Sequence, residues 1–151
     1  MPHVERSTDI AASPEEVWKW IVEPEKILRW NEAIKKCEII EEKEDKIGTV
    51  YSMDQEIHDK INTYKFIILE WTENERVVFG IKSEEGDVRA KRSYTLRPTE
   101  RGCRVILEED LELKGLIGRI LGALFAKKKL IKYREYMLMD LKEVVEKGSI
   151  E

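Results

Sequence analysis

The feature that most constrains the fold is residues 115–148, the longest stretch of the chain with a helical period. Apolar residues recur there at three- and four-residue spacing, which predicts one amphipathic helix: Leu116, Ile117, Ile120, Leu121, Leu124, Phe125, Ile131, Leu138, Leu141 and Val145. Gly148 is predicted to end it as a left-handed residue. At roughly 48 Å, this helix needs a large apolar surface, which the preceding residues must supply.

Between residues 35 and 113 the apolar pattern is alternating rather than helical. Turn signals fall at residues 44–48, 73–75, 84–86 and 99–102, and the intervals predict strands at 35–43, 48–57, 62–72, 76–82, 87–97 and 103–113. Six consecutive strands with short connections form an antiparallel meander.

The register of the last three strands tests this prediction. Centring the final turn on residues 100–101 pairs Val88 with Leu113, Ala90 with Leu111, Arg92 with Glu109, Tyr94 with Leu107 and Leu96 with Val105. Centring the preceding turn on residues 84–85 pairs Val77 with Arg92, Phe79 with Ala90 and Ile81 with Val88. All of these residues share one face, so three strands agree on a single, mainly apolar side.

Two short helices are predicted after a first strand at residues 4–10. Ser13 is the expected N-cap of the first helix, with Pro14 at its first position and Glu16 placed to complete a capping box. Pro24 is expected to stop this helix and start a second. The order of strand, two helices, six strands and long helix predicts an α+β fold, in which a curved seven-stranded antiparallel sheet wraps around the C-terminal helix.

Length and charge limit the other possibilities. The chain has 151 residues, which suits a single domain covering residues 1–151. Its net charge is −4, and we expect no nucleic-acid partner. Seven basic residues and no acidic one lie within residues 114–134, which predicts a solvated helix face or, alternatively, a surface that meets phosphate or an anionic membrane: Lys114, Arg119, Lys127, Lys128, Lys129, Lys132 and Arg134.

The cysteines and histidines give no sign of a metal site or a catalytic triad. Cys37 and Cys103 lack metal-ligand spacing and are interpreted as inward-facing fillers. His3 and His58 are too few and too far apart to form a recognisable site. Without a signal peptide or an apolar run long enough to span a membrane, we expect a cytoplasmic protein with no metal and no cofactor.

Three segments carry a family resemblance: VERSTDIAASPEEVW at residues 4–18, Trp30 after the Pro24 turn, and LKEVVE at residues 141–146. They resemble the START-like, Bet v 1-like superfamily (SRPBCC), and are most similar to its polyketide cyclase/dehydrase-like proteins. The resemblance implies a helix-grip fold with a hydrophobic cavity between sheet and long helix, holding a lipid, sterol, polyketide or other apolar molecule. The superfamily includes binding proteins, transfer proteins and a minority of enzymes, so it implies fold more than activity.

Arg92 and Glu109 are the leading site candidates, because the register places them opposite each other on an apolar face. An unpaired charge there costs several kcal/mol, so they are expected to pair. The pair is expected to be a polar anchor, with Arg92 holding a carboxylate or carbonyl of a ligand and Glu109 orienting it. The alternatives are a structural salt bridge near the mouth of the cavity, or a strand end that bends outward.

The remaining candidates are apolar and aromatic. Tyr51, Met53, Phe79 and Tyr94 are predicted to line the same space, either as ligand contacts or as core. Trp30, near the expected entrance, and Phe125 of the long helix complete the predicted ligand-binding set.

The leading hypothesis is binding or transport of a small hydrophobic molecule by a monomer or homodimer. An alternative is a cyclase or dehydratase acting on a cavity-bound substrate, with Glu109 as base and Tyr94 or Arg92 as electrophilic aid. A third is an interaction module that uses the basic helix on a membrane, in transient contact, or on a ribosome.

Overall fold

The computed structural model describes residues 3–57, 59–86, 88–113 and 125–150. In chain order the elements are β1 (His3–Ile10), α1 (Pro14–Val22), α2 (Pro24–Trp30), β2 (Ile34–Glu41), β3 (Val50–Ile57), β4 (Lys60–Thr72), β5 (Arg76–Ser83), β6 (Val88–Pro98), β7 (Cys103–Leu113) and α3 (Phe125–Ile150). The predicted order of elements is confirmed, and every predicted strand is present within a few residues of its expected bounds.

The seven strands form one curved antiparallel sheet in the order β1-β7-β6-β5-β4-β3-β2. The meander therefore runs from β2 to β7, and β1 returns to pair with β7. Helix α3 lies along β1 at that edge: Lys142 Nζ donates to the Asp9 carbonyl oxygen at 2.6 Å, and the Ala11 backbone N–H donates to Glu146 at 3.1 Å. This is the predicted helix-grip α+β fold.

Strand β2 forms the opposite edge of the sheet and is irregular. Its pairing with β3 shifts register between Ile34 and Lys36, and again between Ile39 and Glu41. Such bulges bend and twist a strand locally. A third bulge interrupts β4 between Ile68 and Glu70.

The predicted register of β6 and β7 is confirmed at all five pairs, including Arg92 opposite Glu109. The predicted register of β5 and β6 is wrong by two residues: Phe79 pairs with Arg92, not with Ala90. The turn is longer than expected, since Ser83 Oγ accepts from the Val88 backbone N–H at 3.0 Å and Gly86 has a φ of 82°. A slip of two residues keeps every side chain on its predicted face.

The first helix begins as predicted. Ser13 Oγ accepts from the Glu16 backbone N–H at 3.2 Å, and Pro14 occupies the first helical position. The second half of the capping box does not form among the described residues, because Glu16 Oε1 accepts from Trp20 Nε1 at 3.4 Å instead. Helix α2 continues to Trp30.

The predicted end of the long helix at Gly148 is wrong, since α3 continues to Ile150. Gly148 does not take a left-handed conformation; a Cβ there would lie 3.3 Å from Trp20 Cζ2. The glycine thus serves close packing of α3 on α1. The predicted first part of the helix, residues 115–124, lies outside the described residues.

The core lies between the sheet and α3. Leu138, Leu141 and Val145 of α3 are buried against it. In β4, which is apolar on both faces, Phe66 and Ile68 point inward whereas Ile67 and Leu69 are exposed.

Candidate functional site

An open pocket of about 530 Å³ separates the middle of the sheet from α3. Its inner wall comes from β4 to β7, its outer wall from α3, and its mouth from the segment after α2 and from β3. The wall residues are Tyr64, Phe66, Ile81, Val88, Ala90, Arg92, Glu109, Leu111, Leu130, Tyr133, Arg134, Tyr136 and Met137. Most of these wall residues are apolar or aromatic; the charged ones are Arg92, Glu109 and Arg134.

Three charged side chains meet where the inner wall faces α3. Glu109 is 1% exposed and Arg92 is 9% exposed, and Arg92 Nε donates to Glu109 Oε1 at 2.5 Å. Arg134 of α3 binds the other carboxylate oxygen, with Nε and Nη2 each 2.9 Å from Oε2. We call these three residues the Arg-Glu-Arg triad. Both oxygens of the carboxylate are therefore occupied, one by each guanidinium.

The triad keeps all three groups charged. Burial raises the pKa of Glu109, but the charges and hydrogen bonds of Arg92 and Arg134 outweigh burial and hold this pKa below its ordinary value. For Arg92, burial lowers the pKa, but Glu109 and Tyr94 more than compensate and leave it raised. Burial and the charge of Arg92 lower the pKa of Arg134, against the opposing effect of Glu109. Two cations and one anion leave a net charge of +1.

A smaller cavity of about 30 Å³ lies deeper, between the pocket and the core. Arg92 borders both spaces, and four predicted ligand-binding residues line the smaller one: Trp30, Met53, Phe79 and Tyr94. Trp30 is buried rather than at the mouth, and its Nε1 donates to the Trp20 carbonyl oxygen at 2.7 Å. These four side chains therefore form the floor beneath the triad.

Two predicted site residues lie elsewhere. Tyr51 contacts Phe79 edge to face, at 5.8 Å between ring centroids, but it lines a separate depression beside α1. Its hydroxyl donates to the Val22 carbonyl oxygen at 2.6 Å. Phe125 begins α3, and its side chain lies outside the described part of the structure. The structure thus brings together six of the eight predicted residues around the triad and its floor.

Sequence reasoning misses Arg134. The charge pattern places it in the exposed basic stretch, yet its side chain is only 13% exposed and binds Glu109. A signal exists: Arg134 lies three residues after Ile131 and four before Leu138, on the apolar side of the helix. Lys128, Lys129 and Lys132 are exposed as expected, whereas Lys114 and Arg119 fall outside the described residues.

The mouth of the pocket is acidic. Glu32, Glu56 and Asp140 border it, and Lys35 is 3.7 Å from Glu56. Burial, and then the charges of Glu32 and Glu143, raise the pKa of Asp140.

The cysteines and histidines offer no further chemistry in the described residues. Cys37 and Cys103 are free and buried, and burial raises the pKa of Cys37 to about 12 and that of Cys103 to about 11. Both are neutral thiols at physiological pH, hence poor nucleophiles. Within the described ranges no group of His, Cys, Asp and Glu is arranged to hold a metal ion; His58 lies outside them. None of the described helices has the length and apolar character to cross a membrane.

A curved antiparallel sheet that grips a long C-terminal helix, with a pocket between them, defines the helix-grip class of proteins. Residues 1–146 match the model of the family described as polyketide cyclase / dehydrase and lipid transport. The chain belongs to this family.

Solved structures share the fold. TTHA0849 from Thermus thermophilus is 24% identical with a TM-score of 0.80, covering 98% of this chain and 99% of that one. A START superfamily protein from Mycobacterium smegmatis is 19% identical with a TM-score of 0.80, covering 96% and 97%. The di-domain ARO/CYC StfQ from the steffimycin biosynthetic pathway is 16% identical with a TM-score of 0.78, covering 99% of this chain and 52% of that one. No curated protein matched the sequence.

Proposed function

We propose that this protein binds and carries a small, largely apolar molecule in the pocket between the sheet and α3. The observation that supports this most is the pocket itself: about 530 Å³ of open space, lined by apolar side chains around one cluster of fixed polar groups. That combination is typical of sites for small organic molecules. The family description, which includes lipid transport, agrees with it.

Apolar burial would supply most of the affinity. About 300 Å² of apolar ligand surface removed from water contributes roughly 7 kcal/mol before the costs of association. The triad would supply orientation, because its side chains are already held by one another and need no reordering when a ligand arrives. Arg92, which borders both cavities, is the proposed contact for a ligand oxygen.

A cyclase or dehydratase in which Glu109 acts as general base fits the geometry less well. Both carboxylate oxygens already accept hydrogen bonds from guanidinium groups, and the lowered pKa makes Glu109 a weak base. We therefore propose that Glu109 organises the two arginines and does not transfer protons.

Titration with the uncharged apolar dye Nile red, followed by fluorescence, tests the carrier function. We expect saturable binding at one dye per chain. The variant Ala90→Phe would fill the pocket from its β6 wall, and it should weaken binding at least tenfold. Since the added ring enters open space, the melting temperature should stay within a few degrees of the wild-type value.

The matched control is Lys91→Phe, which places the same ring on the opposite, exposed face of β6. It should bind the dye as the wild type does. Binding that is absent, or equally strong in Ala90→Phe, would contradict a carrier that uses this pocket. Native mass spectrometry of freshly purified protein would then identify any molecule carried through purification.

A further inference from the structure

The two arginines of the triad share a single carboxylate. Glu109 has no exposed side-chain surface, and its two oxygens are divided between Arg92 and Arg134. In the described residues, neither arginine has a second carboxylate partner within salt-bridge distance. One positive charge is therefore unbalanced in the wall of a mainly apolar pocket, where a charge interacts more strongly than in water.

The exposed parts of both arginines face the pocket: the side chains of Arg92 and Arg134 keep 11% and 13% of their surface exposed, and both residues line it. Arg92 donates to Glu109 through Nε and also hydrogen-bonds Tyr94, and Arg134 Nη1 donates to Met137 Sδ at 2.9 Å. No buried nitrogen of Arg92 lacks a partner in the described residues. The Arg92 side chain keeps 11% of its surface exposed, and the residue borders both cavities, so any unused N–H of Arg92 reaches them. A planar guanidinium group suits a carboxylate, which can accept two hydrogen bonds at once.

The other charged groups that line the pocket do not cancel this charge. Glu32 and Asp140 are exposed at the mouth, and Glu56 lies near Lys35. Solvent and salt screen these charges, whereas the triad is shielded by protein.

We infer that the cargo is a monoanion: an apolar body with one carboxylate, which binds the Arg92 and Arg134 guanidinium groups. This inference rests on the proposed carrier function and narrows its ligand class. The carboxylate restores neutrality at the inner wall, and the apolar body occupies the space between β4 to β6 and α3. The pocket should not bind a protonated amine of the same shape, because the amine would add a second unbalanced positive charge.

Displacement of Nile red by dodecanoate, dodecan-1-ol and dodecylammonium tests this. We expect dodecanoate to displace the dye at a concentration at least tenfold lower than the alcohol, and the ammonium to be the weakest. Arg134→Gln leaves a neutral Arg92 and Glu109 pair, so it should abolish the preference for the acid over the alcohol. Lys132→Gln removes the same charge from an exposed position of α3 and should keep the preference.

The outcomes separate the two proposals. Equal displacement by acid and alcohol in the wild type, with normal dye binding, overturns the monoanion inference and leaves the carrier function standing. A preference that survives Arg134→Gln overturns the role of the triad. Failure of dye and all three compounds to bind overturns the carrier function and the inference with it.

A second measurement covers the case in which Arg134→Gln does not fold. The ¹³C chemical shift of [1-¹³C]dodecanoate bound to wild-type protein reports whether its carboxyl group is ionised. We expect the bound carboxyl group to titrate at lower pH than the free acid. Titration at higher pH than the free acid would overturn the inference.

Discussion

Arg134 and Glu109 join the long helix to the sheet across the pocket, with Nε of the arginine 2.9 Å from Oε2 of the glutamate. The two residues are 25 positions apart in the sequence. Because the same carboxylate also holds Arg92 of β6, one buried anion sets the position of two strands and a helix. The packing of α3 and the charge of the pocket are therefore coupled.

Replacing Glu109 with Gln should strongly destabilise the fold. The substitution leaves Arg92 and Arg134 facing each other in a buried site without the anion between them. We expect a loss of about 3 to 5 kcal/mol in the free energy of unfolding, measured by urea denaturation. Glu108→Gln is the matched control on the outer face of the same strand, and it should change stability by less than about 0.5 kcal/mol. A similar small change for Glu109→Gln would contradict a stabilising role for the triad.

Acid should remove the contribution of Glu109. Its pKa in the folded protein lies below the ordinary value of 4.5, so the unfolded chain binds more protons than the folded one between the two values. The stabilisation is fully present above pH 4.5 and is lost as the pH falls through the folded-state pKa. In urea titrations the difference in stability between wild type and Glu109→Gln should therefore shrink below pH 4.5. A difference independent of pH would count against an ionised Glu109.

His3 should titrate above its ordinary value. Its Nδ1 lies 2.6 Å from Asp110 Oδ1, and this hydrogen bond raises the pKa, with a smaller opposing effect of burial. The Cε1–H signal of His3 in proton NMR should therefore have its midpoint above pH 6.5, and Asp110→Asn should bring the midpoint down. Any stabilisation from this exposed pair is present below pH 6.5 and lost as the pH rises through the folded-state pKa. No change in Asp110→Asn would show that the pair does not persist in solution.

Gly102 should tolerate no side chain. A Cβ there would lie 2.2 Å from the Ile10 carbonyl oxygen and 2.6 Å from the Ala12 backbone nitrogen, so the backbone itself would have to move. We expect Gly102→Ala to cost about 3 kcal/mol. Gly86 has a φ of 82°, and a Cβ there would lie 4.0 Å from Lys82 Cε, an ordinary contact, so Gly86→Ala should cost only about 1 kcal/mol. Thermal unfolding of both variants checks that Gly102→Ala loses more stability than Gly86→Ala. Equal losses of stability would contradict the steric explanation.

Most of the fold can be predicted from the sequence, because the alternation, turn and capping patterns that specify its elements each extend over only a few residues. The alternation of β6 and β7 with a short turn places Arg92 opposite Glu109, and Ser13 with Pro14 marks the start of α1. The slip between β5 and β6 could not be predicted from alternation, since two registers that differ by two residues present identical faces. Only the turn, with Ser83 bonded to Val88, distinguishes them.

The site is predictable only in part, because local patterns do not fix how the helix and the sheet are placed relative to each other. Strand pairing places Arg92 and Glu109 together. The contact of Arg134 with Glu109 depends in addition on the rotation of α3 relative to the sheet, and nothing in the sequence sets that rotation. The sequence predicts that Tyr51 shares the same space because it has the same phase as Met53. The structure shows that one face of a strand extends past the pocket, so phase alone does not place a residue in it.

The two edges of the sheet have different protection against a foreign strand. Along β1 the backbone is covered by α3, through contacts such as Lys142 to Asp9. Along β2 the two register shifts interrupt the row of backbone donors and acceptors, and Lys35 and Lys36 are exposed there. Neither edge offers the long regular template on which β-aggregation propagates, so the sheet is protected against edge-to-edge polymerisation even though the apolar pocket beside it is open.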